Sequence, residues 1–152
     1  MAAVDLSKRG RTFWLIQVPG WLLVVYLVYA QAISAIDYEL GVSMGTQESA
    51  ETITRVGAAF WYGFAFADIA IYIPLLVSGL VGYGIGKSWA RPVLCSAMGI
   101  TVYWPIVCLA SVVAARDAPG WNIPNETAYW VILPLIALWA VWGLWQLICG
   151  EG

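Results

Sequence analysis

The chain has 152 residues, 62% of them hydrophobic and 11% charged, with a mean hydropathy of +0.80 and a net charge of −2. That composition excludes an ordinary soluble domain, and the lack of a basic cluster beyond Lys8, Arg9 and Arg11 excludes a nucleic-acid partner. Histidine is absent and Cys95, Cys108 and Cys149 have no metal-ligand spacing, so neither a metal nor a cofactor is expected, and haem, zinc and histidine-based acid/base chemistry fall away.

The basic start leads into an apolar run longer than a signal-peptide core, with no small-residue cleavage site after it, so it is read as a retained first span over about residues 13–36. This span holds Gln17, Pro19, Gly20 and Gln31 and meets Asp37 and Glu39 at its end. A polar loop over 41–55 follows, in which Thr52 to Arg55 can open a helix. The second span, about 56–86, carries a single charge, Asp68, and a single proline, Pro74. Such a run crosses the bilayer, because about 20 residues at 1.5 Å each already match a hydrocarbon layer of about 30 Å. Lys87 to Arg91 make a short turn, and Pro92 suits the first turn of a third span over about 92–115. Residues 116–127, with two prolines and a glycine, form a loop before a fourth span over about 128–149.

Four spans with short connections predict an all-α, polytopic membrane protein: a single antiparallel four-helix bundle with proline-kinked helices in a lipid bilayer. Lys8, Arg9, Arg11, Lys87 and Arg91 fall on one side, whereas Arg55 and Arg116 fall on the other among most of the acids. The positive-inside rule then places both termini in the cytoplasm, in the endoplasmic reticulum of a eukaryote or the inner membrane of a bacterium. Trp14, Trp89 and Trp145 would mark one interface, and Trp61, Trp121 and Trp130 the other. The sequon at Asn125 lies so close to the fourth span that it reads as a chance match.

Each span has a proline, Pro19, Pro74, Pro105 and Pro134, which frees the carbonyls of Leu15, Ala70, Thr101 and Trp130. Mid-span prolines are common in membrane helices; the alternative is that the last three carbonyls line one polar pocket. Asp68 carries the sharpest expectation. An ionised acid at a span centre costs roughly 2.5 to 3.5 kcal/mol, so it is either a packing acid with a hydrogen-bonded partner or a group that binds a cation or exchanges a proton. Asp68 and Tyr72, four apart, share a helical face with Trp61, Ala65 and Leu75. Beside it runs a stripe of small residues, Ala59, Gly63, Ala67, Ser78, Gly82 and Gly86, suited to close packing within the bundle or across a dimer. Asp37 is the second carboxylate that Asp68 could meet; alone it reads equally as a solvated interface acid. Thr101, Tyr103 and Trp104 gather polar and aromatic groups at mid-depth of the third span, and Gln31 adds an amide from the first. The stripe of Trp139, Trp142 and Trp145 reads as lipid contact or core.

The order of these features resembles the EXPERA-domain family, that of emopamil-binding protein and the sigma-two receptor. The likeness rests on WLLVVYLVYAQAISAID at 21–37, FAFADIAIYIPLL at 64–76, KSWARP at 87–92, TVYWP at 101–105 and YWVILP at 129–134. The resemblance implies an occluded cavity opening sideways to lipid, often in a homodimer, that takes sterols or amphiphilic amines. It assigns the ligand-facing positions to Asp37, Asp68, Tyr72, Thr101 and Trp130. The family's isomerase uses a histidine with glutamates, this chain has no histidine, and its loop between the first two spans is shorter than the receptor's. The expected function is therefore intramembrane binding of a hydrophobic, cationic or sterol-like molecule. Isomerisation by paired carboxylates, a proton-coupled carrier and an accessory membrane subunit are the alternatives.

Overall fold

The computed structural model describes residues 10–123 and 126–150; Lys8, Arg9 and the sequon residue Asn125 lie outside the described residues. Four helical stretches are long and apolar enough to cross a membrane: Arg11–Ile36, Ala50–Gly84, Ala90–Ala115 and Glu126–Cys149. The first comprises α1 (Arg11–Leu27), a π-helical turn (Val28–Ala32) and α2 (Ile33–Ile36). After the short α3 (Tyr38–Ser43), the second comprises α4 (Ala50–Ala67), another π-helical turn (Asp68–Tyr72) and α5 (Ile73–Gly84). The third is α6 (Ala90–Ala115) and the fourth α7 (Glu126–Cys149).

The wide turn in the second span has a covalent cause. In regular helix the Pro74 ring would press on the carbonyl four residues earlier and leave it without a donor, and the π turn ending at Tyr72 relieves that conflict. The first span widens far from its own Pro19, for a different reason. Ser34 Oγ donates to the Ala30 carbonyl at 2.6 Å and Gln47 Nε2 donates to the same oxygen at 3.3 Å, so side chains interrupt the backbone ladder there. The two π turns lie against each other. Pro19, Pro105 and Pro134 all sit within continuous helix.

Helix ends follow their local chemistry. Gly86, at φ +71°, closes α5: the amide N–H of Lys87 donates to the Gly82 carbonyl and that of Gly86 to the Tyr83 carbonyl. The same motif closes α3, with Gly45 at φ +71° and the Thr46 and Gly45 amides donating to the carbonyls of Gly41 and Val42. This second turn was not legible as a helix end because residues 41–55 were expected to be loop, and it brings Gln47 back onto Ala30 and Gln31 of the first span. Within α4 the backbone breaks at Ile53 and Thr54, the latter at φ +67°, and the Thr54 hydroxyl caps the following turn by accepting from the Gly57 amide at 3.3 Å. Ile53 pairs with Trp121 in an isolated antiparallel bridge, which ties the loop between the first two spans to the loop between the last two.

The first span packs on the second, the second on the third and the third on the fourth; no comparable contact joins the fourth to the first. Gln17, buried in the first span, donates to the Leu80 carbonyl at 2.8 Å and accepts from Trp21 Nε1. At the sparse seam, Trp139 Nε1 donates to the Leu15 carbonyl at 2.9 Å, the very carbonyl that Pro19 frees. Replacing Trp139 by phenylalanine leaves that carbonyl without a donor, and we expect a loss of about 1 kcal/mol in reversible detergent unfolding.

Two buried clusters make up the core. One, built on Ile16, Leu27, Tyr72, Leu76, Leu94 and Met98, fills the half of the bundle away from α3. The other, built on Ile53, Trp61, Cys108, Val112, Ile123 and Leu133, lies under the tied loops, and Trp104 packs against both. The small-residue stripe divides accordingly. Gly82 is pressed against Trp89 and Ala90, whereas Ala59 and Ala67 are exposed and a side chain at Gly63 would meet open space.

Candidate functional site

Where the two clusters meet, the bundle holds a cavity of about 490 Å³. Its walls come from the π turns and their flanks (Tyr26, Tyr29, Gln31, Asp68), from the second and third spans (Trp61, Phe64, Trp104, Cys108), from the strap of residues 44–48, and from the start of the fourth span (Ala128, Tyr129, Ile132, Leu133). That volume falls within the range of small-molecule sites. Tyr26, Tyr29 and Ile132 line the cavity and are also about half exposed, at 48%, 47% and 53%, so the cavity's side rim lies along the sparse seam between the first and fourth spans.

Asp68 opens the π turn of the second span and is 7% exposed. Among the described residues its carboxylate accepts no hydrogen bond and forms no ion pair; what remains accessible of it faces the cavity. Its electrostatic neighbours are hydroxyls and a thiol, those of Tyr26, Tyr72 and Cys108. Among the described residues, no lysine or arginine lines the cavity. A buried acid without a donor is costly, and what the pocket offers around it is aromatic surface.

One turn on from Asp68, Tyr72 meets Thr101 of the third span. Both are almost fully buried, and their hydroxyls lie 2.6 Å apart. Thr101 Oγ1 donates to the Ala97 carbonyl at 2.8 Å, so its one proton is committed and Tyr72 is the donor to Thr101. Trp104 Nε1 is buried with no partner at hydrogen-bond distance, and the Tyr72 hydroxyl is its electrostatic neighbour. Of these three side chains, Trp104 lines the cavity and Tyr72 and Thr101 do not.

Of the residues singled out from sequence, the cavity brings together Asp68, Trp104 and Gln31. Tyr72 and Thr101 are not among its wall residues. Asp37 does not line it: exposed at the start of α3, its carboxylate accepts from the Leu40 amide at 3.0 Å and serves as a helix cap. Tyr103 is 62% exposed on the outer face of the third span, and Trp130, at 42%, is likewise outside the cavity wall. Ala70, Thr101 and Trp130, whose carbonyls prolines free, are not among the residues of this cavity's wall, so it is not the shared polar pocket that was one of the two alternatives for them.

The residues missed from sequence are the ones the strap delivers. Glu48 and Gln47 enter the wall because Gly45 turns the chain, and Gln47 then donates to the Ala30 carbonyl and to Gln31 Oε1 at 3.2 Å. Tyr129 reaches Glu48 Oε1 at 3.3 Å, and Tyr38 donates to the Glu48 carbonyl at 2.9 Å. Burial, and then the charges of Glu48 and Glu39, push the Tyr38 phenol up to about 12, so it stays protonated as a donor to the strap. The segment YELGVSMG, a helical run closed by glycine, is the signal that could have predicted this return.

Among the described residues, no three histidine, cysteine or carboxylate side chains converge as a metal site. Compared with known proteins, the chain matches no family model, no curated protein and no solved structure.

Proposed function

We propose that the protein binds, within the bilayer, a hydrophobic molecule carrying a cationic nitrogen, with Asp68 as the anionic anchor of an aromatic cavity. The single observation that carries the reading is Asp68 itself: nine-tenths buried and, among the described residues, without a partner and facing a cavity that no lysine or arginine lines. An ammonium at about 4 Å from a carboxylate is worth about 4 kcal/mol at an effective dielectric of about 20, and the rings of Trp61, Phe64 and Trp104 add cation–π attraction. The rim between the first and fourth spans supports entry from the lipid side.

The finer topology belongs to the same proposal: antiparallel spans, both termini cytoplasmic, an EXPERA-like arrangement, and a homodimer for which the open Ala59, Gly63 and Ala67 half-stripe is the available face. Binding is preferred to isomerisation because acid/base work needs a second carboxylate beside the first, and Asp37 is occupied in capping α3.

The test compares decyltrimethylammonium with decanol on protein in lipid nanodiscs, with empty discs as the blank and the emission of Trp61 and Trp104 as the readout. We expect the cation to bind at least about tenfold more tightly than the alcohol, and Asp68→Asn to erase the difference. Equal binding of the two probes to the unaltered protein would overturn the proposal.

A further inference from the structure

The cavity has a second anionic pole. Glu48 lines the same space as Asp68 but enters from the strap of residues 44–48. In the chain Glu48 precedes α4 and Asp68 follows it, so the two acids reach the cavity from opposite ends of that helix. Between them the wall is aromatic, from Tyr29, Trp61, Phe64 and Trp104.

Glu48 is not a freely solvated loop acid. Tyr38 holds its carbonyl, Gln47 beside it is fastened to the π turn of the first span, and Tyr129 of the fourth span orients its carboxylate. That Tyr129 bond is long, at 3.3 Å, and no cation pairs with Glu48 among the described residues; Arg116 is engaged by Glu126 instead. The result is a carboxylate fixed in position and electrically uncompensated, facing a second one that is buried and without a partner.

From this arrangement we infer that the occupant is two-headed: an elongated hydrophobic molecule with a cationic group at each end, one on Asp68 and the other on Glu48. The inference rests on the reading of Asp68 given above and adds the class of ligand. A molecule with one cationic end leaves one pole unmatched; a neutral one leaves both. A dication fills a cavity that is polar, aromatic and polar along its length.

The experiment uses the full chain in nanodiscs with two probes of equal chain length, decyltrimethylammonium and decamethylene-bis(trimethylammonium). The unaltered protein is expected to prefer the dication by about tenfold. Glu48→Gln should bring the dication to the affinity of the monocation while leaving the monocation unchanged, which also shows that the variant is folded. Asp68→Asn should bring the monocation down to the level of decanol and lower the affinity for the dication by about tenfold. A dication preference that is absent, or that survives in Glu48→Gln, overturns the inference. So does loss of the monocation in Glu48→Gln, since Glu48 would then shape the cavity rather than bind. Retention of the monocation by Asp68→Asn instead overturns the reading of Asp68, so the two failures are distinct.

Discussion

Replacing Asp68 by leucine is expected to give a protein that is more stable and can no longer hold a cation. The carboxylate is 7% exposed and meets no donor, so the folded state carries its desolvation without compensation. On insertion scales that burden is about 2.5 to 3.5 kcal/mol for an acid at a span centre, and leucine removes it while filling part of the 490 Å³ cavity. We therefore expect detergent unfolding to shift in favour of the folded state by about 2 kcal/mol, with asparagine falling between the two. The binding arm runs the other way. A cation at about a hundredfold its dissociation constant should stabilise the unaltered protein by about 2.7 kcal/mol and the leucine variant not at all. A leucine variant less stable than the unaltered protein would mean that Asp68 has a structural partner and is held for packing. Gain of stability together with loss of the ligand effect is the signature of a residue kept for binding at the expense of the fold.

The spans were legible because apolar length is a one-dimensional signal: the predicted ends lie within a few residues of Ile36, Gly84, Ala115 and Cys149. Asp68 was legible for the same reason, as a lone charge in such a run. Its surroundings were not. The wall depends on which faces turn inward, and two π turns shift those faces by a fraction of a turn in the middle of the first and second spans. Pro74 announces one of them, but the other arises from Ser34 and Gln47 acting on Ala30, a contact spanning a loop that reads as featureless polar sequence. Tyr103 and Trp104 are adjacent in sequence and equally aromatic, yet one faces outward and the other lines the cavity; only the rotation of α6 decides between them. Asp37 stayed open between a ligand-facing and a solvated acid because a carboxylate at a span end reads the same whether it caps a short helix or faces a ligand; the structure has it exposed and capping α3.

A single substitution, glycine to leucine, made at two places in the second span should have opposite consequences. At Gly82 an added Cβ would lie 2.6 Å from the Trp89 ring and 2.7 Å from the Ala90 Cβ. The Trp89 ring is half exposed and can swing aside, but Ala90 is the fully buried first residue of α6, so its Cβ moves only if the helix moves. Overpacking of this kind costs about 3 kcal/mol, and we expect Gly82→Leu to unfold at lower detergent denaturant and to run as aggregate in size-exclusion chromatography. At Gly63 nothing lies within 4 Å, and leucine there should change stability by no more than about 0.5 kcal/mol. The pair separates contacts made inside one chain from contacts made between chains. Damage at Gly82 alone fits a bundle closed by its own second and third spans. Equal damage at Gly63 would show that the open half-stripe is covered in the membrane by a second copy, because none of the described residues reaches it.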